Sequence, residues 1–374
     1  MAKLISKTSL AVVFVLSFTV AISTSLNAQD PIFSQFYNNP VYSNPGYIGL
    51  NPGMRARANY RTQWTGLTVP YKTLSFTADF AERAIPGSGG FGLVVNSDQA
   101  GIGMIKTTNI GLGTAARVPI YNNMVAQVGI LVSFSQHMIN WDDMVFGDEL
   151  NPRFGRIYPT AFERPETNKV MYPDFGVGGV YRYVNTDGYA ANVQVTVGAA
   201  VQHVFQPNQS FVGLAASNLP NKLVLTTDVV VDINQGRVST YRASSSYSNF
   251  KLNPAFIYEK QKDFSTYTVG LNIFKSSIYL GAWFRNQNVN IFKTNDVIFS
   301  VGVNVPFSDD SRLRIMYSYD MITSDLKEAG KNAHEISLVY EFDQFSFFSG
   351  MGRSATPSYG SSGSRAREME CCPF

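Results

Sequence analysis

The chain has 374 residues and a formal charge of +3 with no basic stripe, so nucleic acid is not suggested as a partner. Only 15% of residues are charged, against roughly 25% in a soluble domain, while 13% are aromatic and 30 are glycine. Beyond the first thirty residues no stretch stays apolar over the roughly 18 positions of a membrane helix; the composition suggests a membrane β-barrel, with a large secreted β-protein as the competitor.

The first segment reads as an export address. Lys3 and Lys7 are followed by an apolar run, Leu10 to Ile22, and then by Leu26-Asn27-Ala28, a tolerable cleavage site before Gln29. A signal peptide over 1–28 is expected; an uncleaved anchor helix is the alternative. No Cys follows the apolar run, so lipoprotein anchoring is not expected.

Residues 29–52 contain three Asn-Pro steps, at Pro40, Pro45 and Pro52, which disfavour regular strand and favour turns. Phe33, Phe36, Tyr37, Tyr42 and Tyr47 in this segment need burial. The lumen of a barrel, or its periplasmic mouth, is the place for them.

From 53 to 342 the dominant signal is alternation with period two, as on strands with one lipid face and one lumen face. Val193, Val195, Val197, Ala199 and Val201 oppose Asn192, Gln194, Thr196, Gly198 and Gln202. Leu74, Phe76, Ala78 and Phe80 oppose Thr73, Ser75, Thr77 and Asp79. The same pattern recurs around Val269, Phe299, Ile315 and Leu338. Many such segments run about nine residues or more, the span of a tilted membrane strand, whereas sandwich strands run about five or six.

The spacing predicts an all-β, antiparallel transmembrane barrel of about fourteen strands. They are placed near 53–64, 71–82, 90–98, 104–117, 123–137, 174–184, 189–204, 222–233, 249–259, 264–275, 277–286, 296–305, 311–320 and 333–342. With periplasmic termini, short turns follow even strands, at 185–188, 275–277 and 306–310. Long connections follow odd strands, at 138–173, 205–221, 287–295 and 321–332. Two connections break the rule: 234–248 is long for a periplasmic turn and 260–263 is short for an outer loop.

Arg55, Arg57 and Arg61 share the face opposite Met54, Ala56, Ala58 and Tyr60. A charge facing lipid at the midplane costs roughly 2–4 kcal/mol, so the three point inward as a basic lumen cluster. They either give the lumen a preference for acidic groups or pair with acids such as Asp79, Asp228, Glu335 and Glu341.

The 138–173 loop is the candidate partner contact. It carries the aromatics Trp141, Phe146, Phe154, Tyr158 and Phe162 beside Asp142, Asp143, Asp148 and Glu149, with Arg153, Arg156 and Arg164 beyond. Aromatic and Arg side chains are enriched at interface hot spots. The candidate partner-binding set is Trp64, Trp141, Asp142, Asp143, Phe146, Phe154 and Tyr158. The competing reading folds this loop inward as a plug for its own barrel.

The tail, 343–374, is rich in Ser and Gly around 354–364 and reads as flexible and periplasmic. It holds the only cysteines, Cys371 and Cys372, which are adjacent and exclude a disulfide framework. His137, His203 and His334 are scattered without metal-ligand spacing. Gly101-Ile102-Gly103 and Gly111-Leu112-Gly113 read as strand glycines, and no G-x-S-x-G, H-E-x-x-H or P-loop pattern occurs. No catalytic residue, cofactor or metal site is expected.

Three stretches carry a family resemblance. The mature start Gln-Asp-Pro-Ile-Phe-Ser-Gln-Phe-Tyr-Asn-Asn-Pro, with Asn44-Pro45-Gly46 and Gly49 after it, resembles the N-terminal signature of the PorP/SprF family. Tyr60 to Leu67, ending in Pro70-Tyr71, is similar to the family's first hairpin, and Trp141 to Asp148 with Asn151 to Gly155 to its long outer loop. The resemblance covers about 29–342. It implies a non-enzymatic outer-membrane barrel of the type IX secretion and gliding system of Bacteroidota. The partners it implies, besides outer-membrane lipid, are periplasmic or lipoprotein secretion components or an exported adhesin with a type B C-terminal sorting domain. A substrate-transport pore, such as a 14-stranded fatty-acid-type channel with an N-terminal hatch, is the second reading. An outer-membrane lipid hydrolase is a distant third.

Overall fold

The computed structural model describes residues 30–343 apart from 83–84, 86, 102–104, 122, 166, 186–191, 212–216, 234–249, 276, 288–295, 309 and 324–330. The expected signal peptide, nearly all of the tail with Cys371 and Cys372, and the long 234–248 connection lie outside the described residues.

Fourteen antiparallel strands close into one barrel. They are β1 (Met54–Gln63), β2 (Tyr71–Ala81), β3 (Ser88–Ala100), β4 (Ile105–Tyr121), β5 (Met124–Met138), β6 (Lys169–Asn185) and β7 (Asn192–Gln202). There follow β8 (Lys222–Asp232), β9 (Phe250–Gln261), β10 (Phe264–Lys275), β11 (Ile278–Gln287), β12 (Asp296–Ser308), β13 (Ser311–Ile322) and β14 (Ala333–Phe342). Closure comes from β1 pairing with β14, from Met54 opposite Phe342 to Thr62 opposite His334. A closed sheet leaves no free edge in the body of the wall, so its N–H and C=O groups pair between strands, as a bilayer requires. Among the described residues no helix is long and apolar enough to cross a membrane.

Alternation sets the faces as expected. Leu74, Phe76, Val197, Val269, Phe299, Val301, Ile315, Ile336 and Leu338 are exposed on the outside. Their neighbours Ser75, Thr77, Thr196, Thr268, Ser300, Arg314, Glu335 and Ser337 are buried within. An outer belt of this kind suits lipid.

One boundary moves. β6 starts at Lys169 rather than 174, so the long connection is 139–168. Met138 pairs with Lys169, and the ladder runs unbroken through Phe134 opposite Pro173. Pairing of β6 with β7 begins only at Val177. At Pro173 the strand therefore has a neighbour on one side, and the missing N–H breaks no ladder bond. The short 260–263 connection is a tight turn between Gln261 and Phe264, with Lys262 in the left-handed region at φ 52°.

With an even strand number, β1 begins and β14 finishes at the same end of the barrel, here called the terminal end. The 139–168 loop stands at the opposite, loop end. Ile139 N donates to Asn168 O at 3.1 Å across its base.

Candidate functional site

The lumen is filled by residues 31–52. The segment makes 3-10 turns at Phe36–Asn38 and Pro45–Tyr47 and one helical turn at Pro40–Ser43. Proline supplies the first position of the last two, where its missing N–H is no loss. Asn44 caps the third turn, its side-chain oxygen accepting from Gly46 N at 2.7 Å. Of the aromatic residues, Phe33 and Phe36 are buried and Tyr37, Tyr42 and Tyr47 half-buried, and the place is the lumen. Tyr37 stacks on Trp283 at 5.0 Å and Phe36 meets the same ring edge-on at 5.3 Å. Around them Ala200, Val224, Ala255, Ile257 and Ile298 turn apolar side chains inward. Val41 and Ile48 pack on Val94 and Ala115 in a second cluster.

Polar groups complete the seating. Asn38 Nδ2 donates to Ser337 Oγ at 2.8 Å and Asn39 Nδ2 to Ser75 Oγ at 2.8 Å. Gln127 Nε2 donates to the carbonyls of Gly46 at 2.9 Å and Ile48 at 2.6 Å. The wall is thinned where the segment comes closest. A Cβ at Gly129 would lie 2.1 Å from Pro45 O, and one at Gly178 would lie 2.1 Å from Asn44 Oδ1.

The basic lumen cluster is internally neutralised. Arg57 pairs with Asp79, Arg55 with Asp343 at 2.6 Å and Glu341 at 3.8 Å, and Arg61 with Asp320 at 3.0 Å. Two expected partners are corrected: Glu335 and Asp228 make no ion pair with these arginines. Glu335 accepts Ser34 N at 2.6 Å and Asn59 Nδ2 at 3.2 Å, and Asp228 accepts Asn253 Nδ2 at 2.7 Å. Burial between turn backbone and wall gives both acids nearer donors. Sequence reasoning missed Arg285 and Asp320, whose pair at 3.0 Å shares the Arg61 site, and Trp283. The available signal was an inward Trp and Arg two residues apart on β11, opposite Gly270 and Thr268.

Beneath these turns a cavity of about 90 Å³, reaching solvent, lies between Tyr37, Tyr47 and the wall. Arg57, Arg182, Arg314, Asp228 and Glu341 line it, with Arg314 bonded to Glu341 at 3.3 Å.

The 139–168 loop is bonded within itself. Its centre is a two-stranded ribbon of Leu150–Asn151 and Gly155–Arg156. Buried Glu149 pairs with Arg156 at 2.9 Å, and Asp148 accepts Ala161 N at 2.7 Å. Trp141, Phe146 and Phe162 form a ring chain with 5.0 Å spacings. Asp142 holds Arg164 at 3.0 Å, and Asp143 accepts Asn140 Nδ2 at 2.6 Å. Phe154 is 68% exposed, Phe162 59% and Tyr158 52%. The lumen holds 31–52, and these loop rings are exposed to solvent. The structure brings Trp141 and Phe146 together, whereas Trp64 packs on Tyr71 at 4.7 Å in the β1–β2 connection. The three histidines stand apart: His137 against Phe211, His203 on Asp174 at 2.8 Å, His334 on Tyr317 at 2.7 Å.

Several solved structures are similar to the chain at low identity. The CymD monoaromatic hydrocarbon channel is 11% identical with a TM-score of 0.40, over 86% of this chain and 95% of that one. The P. putida toluene transporter TodX is 10% identical with a TM-score of 0.39, over 83% and 94%. A Pseudomonas aeruginosa FadL homologue is 9% identical with a TM-score of 0.38, over 82% and 94%. No curated protein matches the sequence. The model of one family, the type IX secretion system membrane protein PorP/SprF, matches residues 25–340. With its Asn-Pro segment seated in a closed fourteen-stranded outer-membrane barrel, the chain belongs to the PorP/SprF family of type IX secretion system membrane proteins.

Proposed function

We propose that the chain is a non-enzymatic outer-membrane barrel that holds an exported type IX cargo protein at the cell surface, with the 139–168 loop as principal contact and the barrel termini in the periplasm. The observation that carries this reading is the division of labour between the two segments outside the wall. The lumen is occupied by 31–52, so the loop's rings are not needed as a plug. A loop ordered by its own ion pairs, yet holding Phe154, Tyr158 and Phe162 in solvent, is what a docking face requires. The rings supply hot-spot area, and Asp142 and Arg164 supply polar contacts at the rim.

The test replaces residues 144–160 by a short Gly/Ser linker. Barrel assembly is expected to survive, since wall pairing is untouched, and surface display of type IX cargo to fall severalfold. Normal display by a correctly assembled variant overturns the loop as the contact. The second reading, a transport pore, draws on the lumen cavity of about 90 Å³ that reaches solvent between Arg57, Arg182 and Arg314. It predicts stepwise conductance from the intact purified barrel in planar bilayers.

A further inference from the structure

We infer that the mature amino terminus leaves the barrel through the loop end, sharing a mouth with the 139–168 loop and lying across the membrane from the start of β1. The carbonyl of Ile32 accepts from Arg61, and that of Phe33 accepts from Arg285 at 3.4 Å. Ser34 donates its N–H to Glu335 at 2.6 Å and its hydroxyl to Asp320. Pro31 O accepts from Tyr42, whose ring lies 5.5 Å from Lys222 Nζ. Each wall residue in that set sits at the loop end of its strand. Arg61, Arg285 and Asp320 are two residues from where β1, β11 and β13 finish; Glu335 is two from where β14 starts; Lys222 begins β8.

The other end of the segment is fixed just as firmly. Leu50 packs with Val125, the second residue of β5, and Asn51 accepts from Arg182, near the finish of β6, at 2.8 Å. A Cβ at Gly53 would lie 2.0 Å from the carbonyl of Phe342, the last residue of β14. Residues 31–53 therefore run the lumen lengthwise, from the loop end down to the terminal end.

Arg61 is seven residues beyond Met54. At about 3.3 Å per residue and a tilt near 40°, that is a climb of roughly 18 Å. Gln29 lies two residues ahead of Pro31, and two residues reach at most about 7 Å. With the leader removed before Gln29, the new terminus cannot return to the terminal end. The inference holds whichever membrane face the loop end occupies, so it stands or falls separately from the proposed orientation. A partner seated on the loop meets a free chain end in the same mouth.

The experiment places a short epitope between Gln29 and Asp30, within the loop at Gly147, or in the β10–β11 turn at Ser277, each in the full chain in its native membrane. Antibody access on intact and permeabilised cells is compared. The tags at 29 and 147 are expected to share one side and the tag at 277 the other. A tag at 29 that behaves like the one at 277 overturns the inference. As a smaller change, Asp30→Cys in a chain lacking Cys371 and Cys372 is labelled with an impermeant maleimide. Its labelling should follow that of Gly147→Cys, and labelling with Ser277→Cys is the contrary result. Reversal of all three sites together sinks the proposed orientation and leaves the threading intact.

Discussion

Asp320 is the most consequential single residue of the lumen. It is buried, takes Arg61 and Arg285 at 3.0 Å each, and accepts the Ser34 hydroxyl. Removing one partner of a buried pair leaves the other charge without compensation, at about 3–5 kcal/mol. Asp320→Ala should therefore destabilise the folded barrel by roughly 3 kcal/mol, read as a lower midpoint in urea unfolding from detergent micelles. A loss below about 1 kcal/mol would show that Glu335 and Asp296 carry the two arginines unaided. The inward direction of Arg61 was legible, because alternation assigns a face. Its partner was not: Asp320 lies 259 positions away and reaches Arg61 only once β14 has joined β13 to β1. Gly129 and Gly178 were silent for the same reason, since their need for a missing Cβ comes from Pro45 and Asn44 across the lumen.

At the scale of elements, the strands were the most legible part because each carries its own periodicity. The shift in the start of β6 reflects a neighbour relation, a one-sided pairing at Pro173, that no single strand displays. The Asn-Pro segment announced turns and a need for burial; its path through the lumen depends on wall donors such as Gln127 and Arg61. Deleting residues 31–43 should leave a barrel that still assembles and now conducts ions in planar bilayers, where the full chain does not. A silent deletion variant would mean that another segment closes the lumen. The 139–168 loop offers a test by pH. The Asp148 carboxyl is held below the usual carboxylate range, chiefly by the N–H of Ala161 and further by the Thr160 hydroxyl. A depressed value in the ordered loop means that this anchor is complete above the ordinary carboxylate pKa and is lost as pH falls through the lowered one. Amide exchange at Ala161 should accelerate over that acid window, and Asp148→Asn should remove most of the pH dependence. An Ala161 amide whose protection ignores pH would discard Asp148 as the anchor.

For the whole molecule, closure predicts a compact species that migrates differently before and after boiling, with a β-dominated circular dichroism spectrum. A detergent-independent soluble monomer would contradict the membrane barrel outright. Orientation has its own readout. Single cysteines at Thr65 and Gly147, in a chain lacking Cys371 and Cys372, should label on intact cells, and cysteines at Thr186 and Ser276 should not. The lengthwise path of residues 31–53 also constrains how the molecule is made. The seam between β1 and β14 joins the first strand to the last, so the ring can shut only after the whole wall has been synthesised and exported. From then on the interior is reached only through a mouth, because a closed wall offers no lateral gap. Residues 31–53 precede all fourteen strands in the chain, so they can lie along the axis as a leading thread while the wall is laid around them. Assembly in that order resembles winding a sheath onto a wire rather than pushing a cork into a bottle.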